Sequence, residues 1–115
     1  MNGRKIDPEW VYRLTKQVPS GKVTSYSALA EAAGNPKAAR AVGSIMRVNP
    51  YAPVVPCHRV VYKDGRVGGF GDKEGVTKKI DLLFREGVSV KDGRIEDYDR
   101  VYFEGFKKNE RKRTG

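Results

Sequence analysis

The sequence has only one cysteine and one histidine, and no hydrophobic run in it is long enough to cross a membrane. A single cysteine excludes an intrachain disulfide and suits a reducing compartment. One cysteine and one histidine also cannot supply the three or four protein ligands of a zinc site. The N-terminus lacks the apolar run of a secretory signal. These absences predict a protein of the cell interior with no membrane span and no metal centre.

Acidic residues are also comparatively few. The 115 residues include 23 Lys and Arg against 14 Asp and Glu, a formal charge of +9. Such a charge favours a polyanionic partner, with nucleic acid ahead of a membrane surface. We therefore expect a cytoplasmic location associated with the nucleoid, or a nuclear one in a eukaryote. The length predicts one domain, over residues 1–106, and we expect a monomer. The cluster of cations in residues 107–115 predicts a disordered basic tail that adds nonspecific phosphate affinity.

Three helices are predicted in the first half of the chain. Asp7-Pro8-Glu9 is a helix start, and Trp10, Val11, Leu14 and Val18 lie on one face of the helix that follows. Ser25 can cap a second helix that runs through Ala33 and stops at Gly34.

Asn35-Pro36 is predicted to open a third helix, which runs from Lys37 to Arg47. Two helices joined by one tight turn form a helix-turn-helix, whose second helix normally enters a DNA groove. Alanine, glycine and serine leave this second helix slim, which suits either close packing or the narrow minor groove.

The second half of the chain predicts a small hairpin and one long helix. Lys63-Asp64-Gly65 is a turn signal between short β-prone segments at 59–62 and 66–67. A helix is predicted over Lys73 to Arg85, with four apolar residues facing inward: Val76, Ile80, Leu83 and Phe84. Residues 91–94 form a further turn signal. The fold class is therefore α+β: a mainly helical single domain, with a winged-helix-like helix-turn-helix and a small β-hairpin.

The neighbouring Cys57 and His58 are the strongest candidates for chemistry. A thiol attacks as its thiolate, and an imidazole is the usual base that removes the proton. Side chains of adjacent residues on an extended backbone point to opposite faces, so a bridging water or a turn is expected between them. The alternative interpretation is a small buried cysteine beside a hydrogen-bonded structural histidine.

Several segments together resemble the O6-alkylguanine-DNA alkyltransferases. The resemblance runs in unbroken order over about residues 7 to 88, and Pro56-Cys57-His58-Arg59-Val60-Val61 is its most specific segment. The other matching segments are residues 35–43, Met46-Arg47, Asn49-Pro50 and Leu82-Leu83-Phe84-Arg85-Glu86-Gly87.

The resemblance implies an irreversible, single-turnover transfer of an alkyl group from guanine O6 to Cys57, without a cofactor. It implies that His58 deprotonates the thiol through a water and that Glu86 orients His58 and balances its charge. Asn49 corresponds to the asparagine that ties the turn after the recognition helix to the active-site segment.

The resemblance also implies the contacts to duplex DNA. Tyr26 would crowd the target phosphate so that the nucleotide rotates outward, and Arg40 would enter the stack in its place. Such extrusion is required because O6 is out of reach inside a duplex. Further DNA contacts are implied for Asn35, Lys37, Ala39 and Arg47. The implied pocket residues are Val60, Phe70 and Gly71.

Two departures from the family keep an alternative open. Phe70 and Gly71 stand where many members have a tyrosine and a serine, so Phe70 can stack on a base but offers no hydroxyl. The short chain and the stretch from Asp92 to Tyr98 also resemble the alkyltransferase-like proteins, which lack the cysteine and mark lesions for nucleotide excision repair. Cys57 argues against that silent role. A transcription regulator is a third alternative, but residues 37–44 offer few base-reading side chains.

Overall fold

The computed structural model describes residues 6–68 and 73–108, without the side chains of residues 73 and 74. Helix α1 spans Pro8–Thr15 and begins as predicted, because the Asp7 carboxylate accepts a hydrogen bond from the Glu9 amide. Trp10, Val11 and Leu14 of its predicted face are buried, whereas the prediction for Val18 is only partly correct, because Val18 is buried but lies three residues beyond the end of the helix.

Helices α2 (Tyr26–Ala32) and α3 (Ala39–Arg47) form the helix-turn-helix. The Ser25 hydroxyl caps α2 as predicted, accepting from the Ala28 amide. The predicted start of α3 is wrong: the helix begins at Ala39 instead of directly after Asn35-Pro36. Asn35 instead organises a turn, in which its side chain accepts from the Lys37 amide and its carbonyl from the Ala38 amide.

The predicted hairpin around Lys63-Asp64-Gly65 is only partly correct. The chain reverses there, and the Tyr62 amide donates to the Arg66 carbonyl. However, strand β2 (Val60–Val61) pairs in parallel with β1 (Thr24–Ser25), while Arg66 bridges to Arg94. Apart from the Tyr62–Arg66 hydrogen bond, the described residues of the two arms therefore pair with different segments and form no ladder with each other.

An antiparallel hairpin lies later in the chain. Strands β3 (Val90–Lys91) and β4 (Arg94–Ile95) pair across Asp92-Gly93. Both turn residues have positive φ, 52° and 77°, which is the geometry that matches the twist of a two-residue hairpin. A short helix α5 follows at Tyr98–Val101.

Helix α4 spans Lys73–Arg85, as predicted. Leu83 is fully buried and Val76 and Ile80 are partly buried, but the prediction for Phe84 is wrong because 68% of its surface is exposed. Lys79 on this helix is also fully buried.

Two hydrophobic clusters lie on either side of the β1–β2 pair. One joins α1, α2 and α3 with Val55 and Val60, and the other contains Val61, Val67, Leu83 and residues of the C-terminal hairpin and α5. The α+β fold class with a helix-turn-helix is thus confirmed. No helix in the described part of the chain has the length and apolar character needed to cross a membrane.

Candidate functional site

The segment that carries Cys57 is a tight turn held by the end of α3. Cys57–Arg59 forms one turn of 3-10 helix between Pro56 and β2, in place of the extended backbone that would separate adjacent side chains. The Asn49 side chain donates to the Val55 carbonyl at 2.8 Å and accepts from the Tyr51 amide at 2.9 Å. Asn49 therefore fixes the loop that leads into Cys57, and the Cys57 side chain remains partly accessible.

His58 and Glu86 lie in contact although 28 residues separate them in sequence. His58 Nε2 and Glu86 Oε2 are 3.0 Å apart, and His58 is 5% exposed. Because a carboxylate only accepts hydrogen bonds, Nε2 carries the proton and Nδ1 is left as the acceptor. The Arg59 guanidinium holds the same carboxylate with Nε and Nη2, at 2.9 and 2.5 Å, and donates from Nη1 to the Val18 carbonyl.

These contacts set the protonation states of both partners. Burial lowers the pKa of His58 from 6.5, with further lowering by Arg59 and Lys79, and Glu86 only partly opposes this. Burial alone would raise the pKa of Glu86, but hydrogen bonds from Arg59 and His58 outweigh it and lower the pKa. At neutral pH the site therefore contains a neutral imidazole, able to accept a proton, held by an ionised carboxylate.

A buried lysine lies beside this group. Lys79 Nζ donates to the Val60 carbonyl at 2.6 Å, to the Gly68 carbonyl at 3.2 Å and to the Tyr26 hydroxyl at 3.3 Å. Burial lowers the pKa of Lys79 from 10.5 to about 7, and Cys57 acts against that lowering. An ammonium on Lys79 and a thiolate on Cys57 would therefore stabilise one another.

A cavity of about 1110 Å³ lies between α3 and the turn at residues 62–66. Arg40, Gly43, Ser44 and Arg47 line it at helical spacing, while Val42 and Met46 on the other face of α3 are buried. Lys37 and Ala39 line the same cavity. Tyr26 also lines it, and its hydroxyl accepts from Lys79, so this tyrosine connects the cavity with the buried group around Cys57.

The remaining predicted site residues do not line this cavity or cannot be described. Asn35 is absent from the cavity wall and shapes the turn before α3. Val60 is fully buried, so its carbonyl, bound to Lys79, is its polar contribution to the site. Phe70 and Gly71 lie outside the described residues. In the predicted tail, the backbone amide and carbonyl of Lys107 each form a hydrogen bond with the Gln17 side chain. Residues 109–115 lie outside the described residues.

Sequence reasoning missed the roles of Lys79 and of Arg59 as a partner of Glu86. Position 79 falls between Val76 and Leu83 on the buried face of α4, so the helical spacing already carried the signal for Lys79. Arg59 had no comparable signal, because its partner is distant in the sequence. Within residues 6–68 and 73–108, no cluster of three or more His, Cys, Asp or Glu residues could hold a metal ion.

Comparison with known proteins gives consistent matches. The model of the family described as "6-O-methylguanine DNA methyltransferase, DNA binding domain" matches residues 8–88. A bifunctional methyltransferase/endonuclease of Thermoplasma volcanium is 39% identical over 98 residues, 85% of this chain and 30% of that protein. The human methylated-DNA–protein-cysteine methyltransferase is 51% identical over 77 residues, 67% of this chain and 36% of that protein.

A solved structure extends the similarity to the fold. S. pombe Atl1, in complex with damaged DNA containing O6-carboxymethylguanine, has a TM-score of 0.75 and 28% identity, covering 84% of this chain and 93% of that one. The chain spans about a third of the length of the two curated relatives. Because the family match extends over most of its length, the chain belongs to the 6-O-methylguanine DNA methyltransferase family, within its DNA-binding domain.

Proposed function

We propose that this chain repairs O6-alkylguanine in duplex DNA by transferring the alkyl group to the sulfur of Cys57, once per molecule. The observation that carries the proposal is the 3.0 Å contact between His58 Nε2 and Glu86 Oε2, next to an accessible cysteine. A nucleophile, a neutral base and a carboxylate that orients the base are the parts that nucleophilic catalysis requires. The human relative, a methylated-DNA–protein-cysteine methyltransferase, supports the same chemistry.

The transfer is a displacement at the alkyl carbon. The Cys57 proton passes through a water to Nδ1 of His58, and the thiolate then forms a new S–C bond. The C–O6 bond breaks, its electron pair goes to O6, and the guanine ring takes up a proton, so the net change moves one proton from thiol to base. The alkyl C–S bond of the thioether resists displacement, since the Cys57 thiolate would have to leave, so the protein is not regenerated.

Three further contacts support this chemistry. Arg59 keeps Glu86 ionised and correctly oriented, so the charge that develops on His58 is balanced. Below its pKa of about 7, Lys79 adds a buried positive charge close to Cys57. Asn49 acts as a positioning residue, because it holds the loop before Cys57 through the Val55 carbonyl.

DNA binding is assigned to the cavity beside α3. The face of α3 formed by Arg40, Gly43, Ser44 and Arg47 combines small side chains with two cations, which suits close approach to a DNA groove. Tyr26 lines this cavity and accepts a hydrogen bond from Lys79, and its role is to crowd the target phosphate so that the nucleotide rotates outward. Arg40, exposed on the rim, fills the gap left in the stack.

Recognition of the lesion without transfer is the second candidate. It is favoured by the similarity to S. pombe Atl1, which extends over 93% of that protein. The Atl1 structure contains damaged DNA. In this alternative, the bound lesion would recruit nucleotide excision repair proteins, and Cys57 would stay unmodified.

The experiment that separates the two candidates is intact mass spectrometry of the full chain after incubation with duplex DNA containing O6-methylguanine. We expect Cys57 to gain one methyl group stoichiometrically, without turnover, and Cys57→Ser to gain none. Tight binding to the lesion with an unchanged protein mass would contradict the transfer proposal and support the second candidate.

A further inference from the structure

Four tyrosines from three parts of the chain are connected beside the cavity. The ring of Tyr26, at the start of α2, lies edge-on to that of Tyr62, directly after β2, with 5.4 Å between their centres. The rings of Tyr98 and Tyr102, in and directly after α5, make a similar contact at 5.2 Å. These four residues and Ser25 are here called the tyrosine cluster. No role was predicted for Tyr98 or Tyr102.

Hydrogen bonds join the two pairs into a closed circuit. The Tyr98 hydroxyl donates to the Tyr62 carbonyl at 3.1 Å. The Tyr102 hydroxyl lies 2.8 Å from the Ser25 hydroxyl, which also caps α2. Because Tyr26 is the first residue of α2, directly after this cap, the Tyr102 contact fixes the end of the helix from which Tyr26 projects.

The backbone around Tyr102 extends the β1–β2 pair on its other side. Val23, directly before β1, forms a parallel bridge with Tyr102. The Val23 amide donates to the Val101 carbonyl at 2.9 Å, and its carbonyl accepts from the Phe103 amide at 2.7 Å. Hydrogen bonds on both sides of β1 therefore hold the segment that leads into α2. These C-terminal partners lie beyond residue 88, where the family match ends.

The position of Tyr26 matters because its side chain lines the cavity. Tyr26 is only 5% exposed, and its hydroxyl accepts from Lys79. A ring that crowds a phosphate must itself resist displacement, which requires neighbours that fix its rotamer. Lys79 holds the hydroxyl end of this side chain, while the tyrosine cluster holds its ring through Tyr62 and its backbone through Ser25.

We propose that Tyr98 and Tyr102 are positioning residues for Tyr26 during extrusion of the target nucleotide. Tyr98 holds Tyr62, whose ring packs on Tyr26, and Tyr102 holds Ser25, which precedes Tyr26 in the chain. This inference rests on the proposed function and extends its machinery to the C-terminal segment. Neither Tyr98 nor Tyr102 lines the cavity, so each acts through Tyr26 rather than on the DNA directly.

The test compares transfer from O6-methylguanine in a duplex with transfer from the same lesion in a single-stranded oligonucleotide. A nucleotide in a single strand needs little extrusion, so a residue that serves extrusion affects mainly the duplex reaction. For Tyr102→Phe we expect the duplex rate at saturating DNA to fall about two- to tenfold, the range that one hydrogen bond contributes, and the single-strand rate to stay unchanged. Tyr98→Phe should give the same pattern. Equal rate changes on both substrates, or none, would overturn the proposal.

Tyr51→Phe is the matched control. Its hydroxyl also forms one hydrogen bond, to Glu9 at 3.1 Å, but Tyr51 takes no part in the tyrosine cluster. Whatever this substitution does to the rate, the ratio of duplex to single-strand rates should stay at the wild-type value. Melting temperatures of all variants monitor the fold. A fall in the ratio for Tyr51→Phe as large as that for Tyr102→Phe would show that the effect is not specific to the cluster.

A double-mutant cycle with Tyr26→Ala tests whether Tyr102 acts through Tyr26. In the Tyr26→Ala background, Tyr102→Phe should have no further effect on the duplex rate, because no ring remains to be held. The same fold-loss in both backgrounds would contradict the proposal.

The inference and the proposed function can fail separately. If the wild type transfers no methyl group, the ratio of its affinities for the lesion in duplex and in single-stranded DNA replaces the ratio of rates. A fall in that ratio for Tyr102→Phe would leave the inference standing although the transfer proposal fails, and an unchanged ratio would overturn both. If transfer occurs but the ratio of rates equals that of the control, only the inference fails.

Discussion

The buried group around His58 and the exposed groove beside α3 use the same charged residue types in opposite ways. Around His58, the Arg59 and Glu86 side chains are each only 17% exposed and are fixed by hydrogen bonds of 2.5–3.0 Å that join Arg59, Glu86 and His58. In the groove, Arg40, Arg47 and Lys63 are exposed to solvent. Interactions in the first region are strong because the local dielectric is low, whereas salt screens those in the second.

Because of this difference, we expect substitutions in the two regions to affect different steps. Substitutions in the buried group should change the rate of transfer, because each charge there sets the protonation of another. Substitutions in the groove should change affinity and its salt dependence, because each cation acts mainly on the DNA. Tyr26 belongs to both regions, since it lines the groove and accepts from Lys79.

The largest effect is expected for Glu86→Gln. The amide nearly preserves the shape but removes the charge that orients and balances His58. A general base typically contributes about a hundred- to ten-thousand-fold, so the single-turnover rate should fall by roughly a hundredfold or more. DNA affinity, measured by fluorescence anisotropy, should stay within about twofold. A comparable loss of affinity would show that the buried group does not act separately from the groove.

Lys79→Met should change how stability depends on pH. The pKa of Lys79 is about 7 in the folded chain, against the ordinary value of 10.5 that applies to the unfolded chain. Between pH 7 and 10.5 the unfolded chain therefore binds more protons than the folded chain. The free energy of unfolding therefore gains up to about 1.4 kcal/mol per pH unit as pH rises above 7. Urea denaturation between pH 7 and 9, below the ordinary range of tyrosine, should show this slope in the wild type and its loss in the variant.

Lys78→Met is the matched control for that measurement. Lys78 is the preceding residue on α4 and is exposed, so its removal should leave the pH dependence of the wild type intact. Equal slopes for the wild type and Lys79→Met would mean that Lys79 keeps an ordinary pKa despite its burial.

A smaller effect, confined to the groove, is expected for Arg40→Ala. If Arg40 fills the gap left by the extruded nucleotide, it should matter for lesion-containing duplex more than for single-stranded DNA. A stacking contact contributes roughly 1–3 kcal/mol, so we expect about a tenfold loss on the duplex. Titration of both DNA forms at fixed salt checks this. Equal losses on the two forms would reduce Arg40 to a phosphate contact.

Local signals in the sequence were sufficient to predict most helices. The Asp7-Pro8 start, the Ser25 cap and the apolar spacing of α4 each depend on residues within one or two turns. The start of α3 differed, because Asn35 can cap a helix or close a turn with equally local hydrogen bonds. Here the tertiary fold selected the turn.

The candidate site was less accessible to sequence reasoning without the family resemblance. The partners of Lys79 are the carbonyls of Val60 and Gly68 and the Tyr26 hydroxyl, which come from three separate segments of the chain. Phe84 is the opposite case to Lys79: it is a large apolar side chain on the same helix, yet it is exposed to solvent. Pairing of β2 with β1 in place of residues 66–67 likewise depends on contacts between distant segments.

The central claim is that His58, held by Glu86, is the base that activates Cys57. The most direct test is the single-turnover rate against pH at saturating DNA, for the wild type and His58→Ala, with DNA affinity as the control. The wild-type rate should be nearly level above neutral pH, because burial keeps His58 neutral there. The variant should be slow at pH 7 and recover as solvent deprotonates the thiol at higher pH. A His58→Ala variant that keeps the wild-type profile would contradict the claim and leave His58 a structural residue.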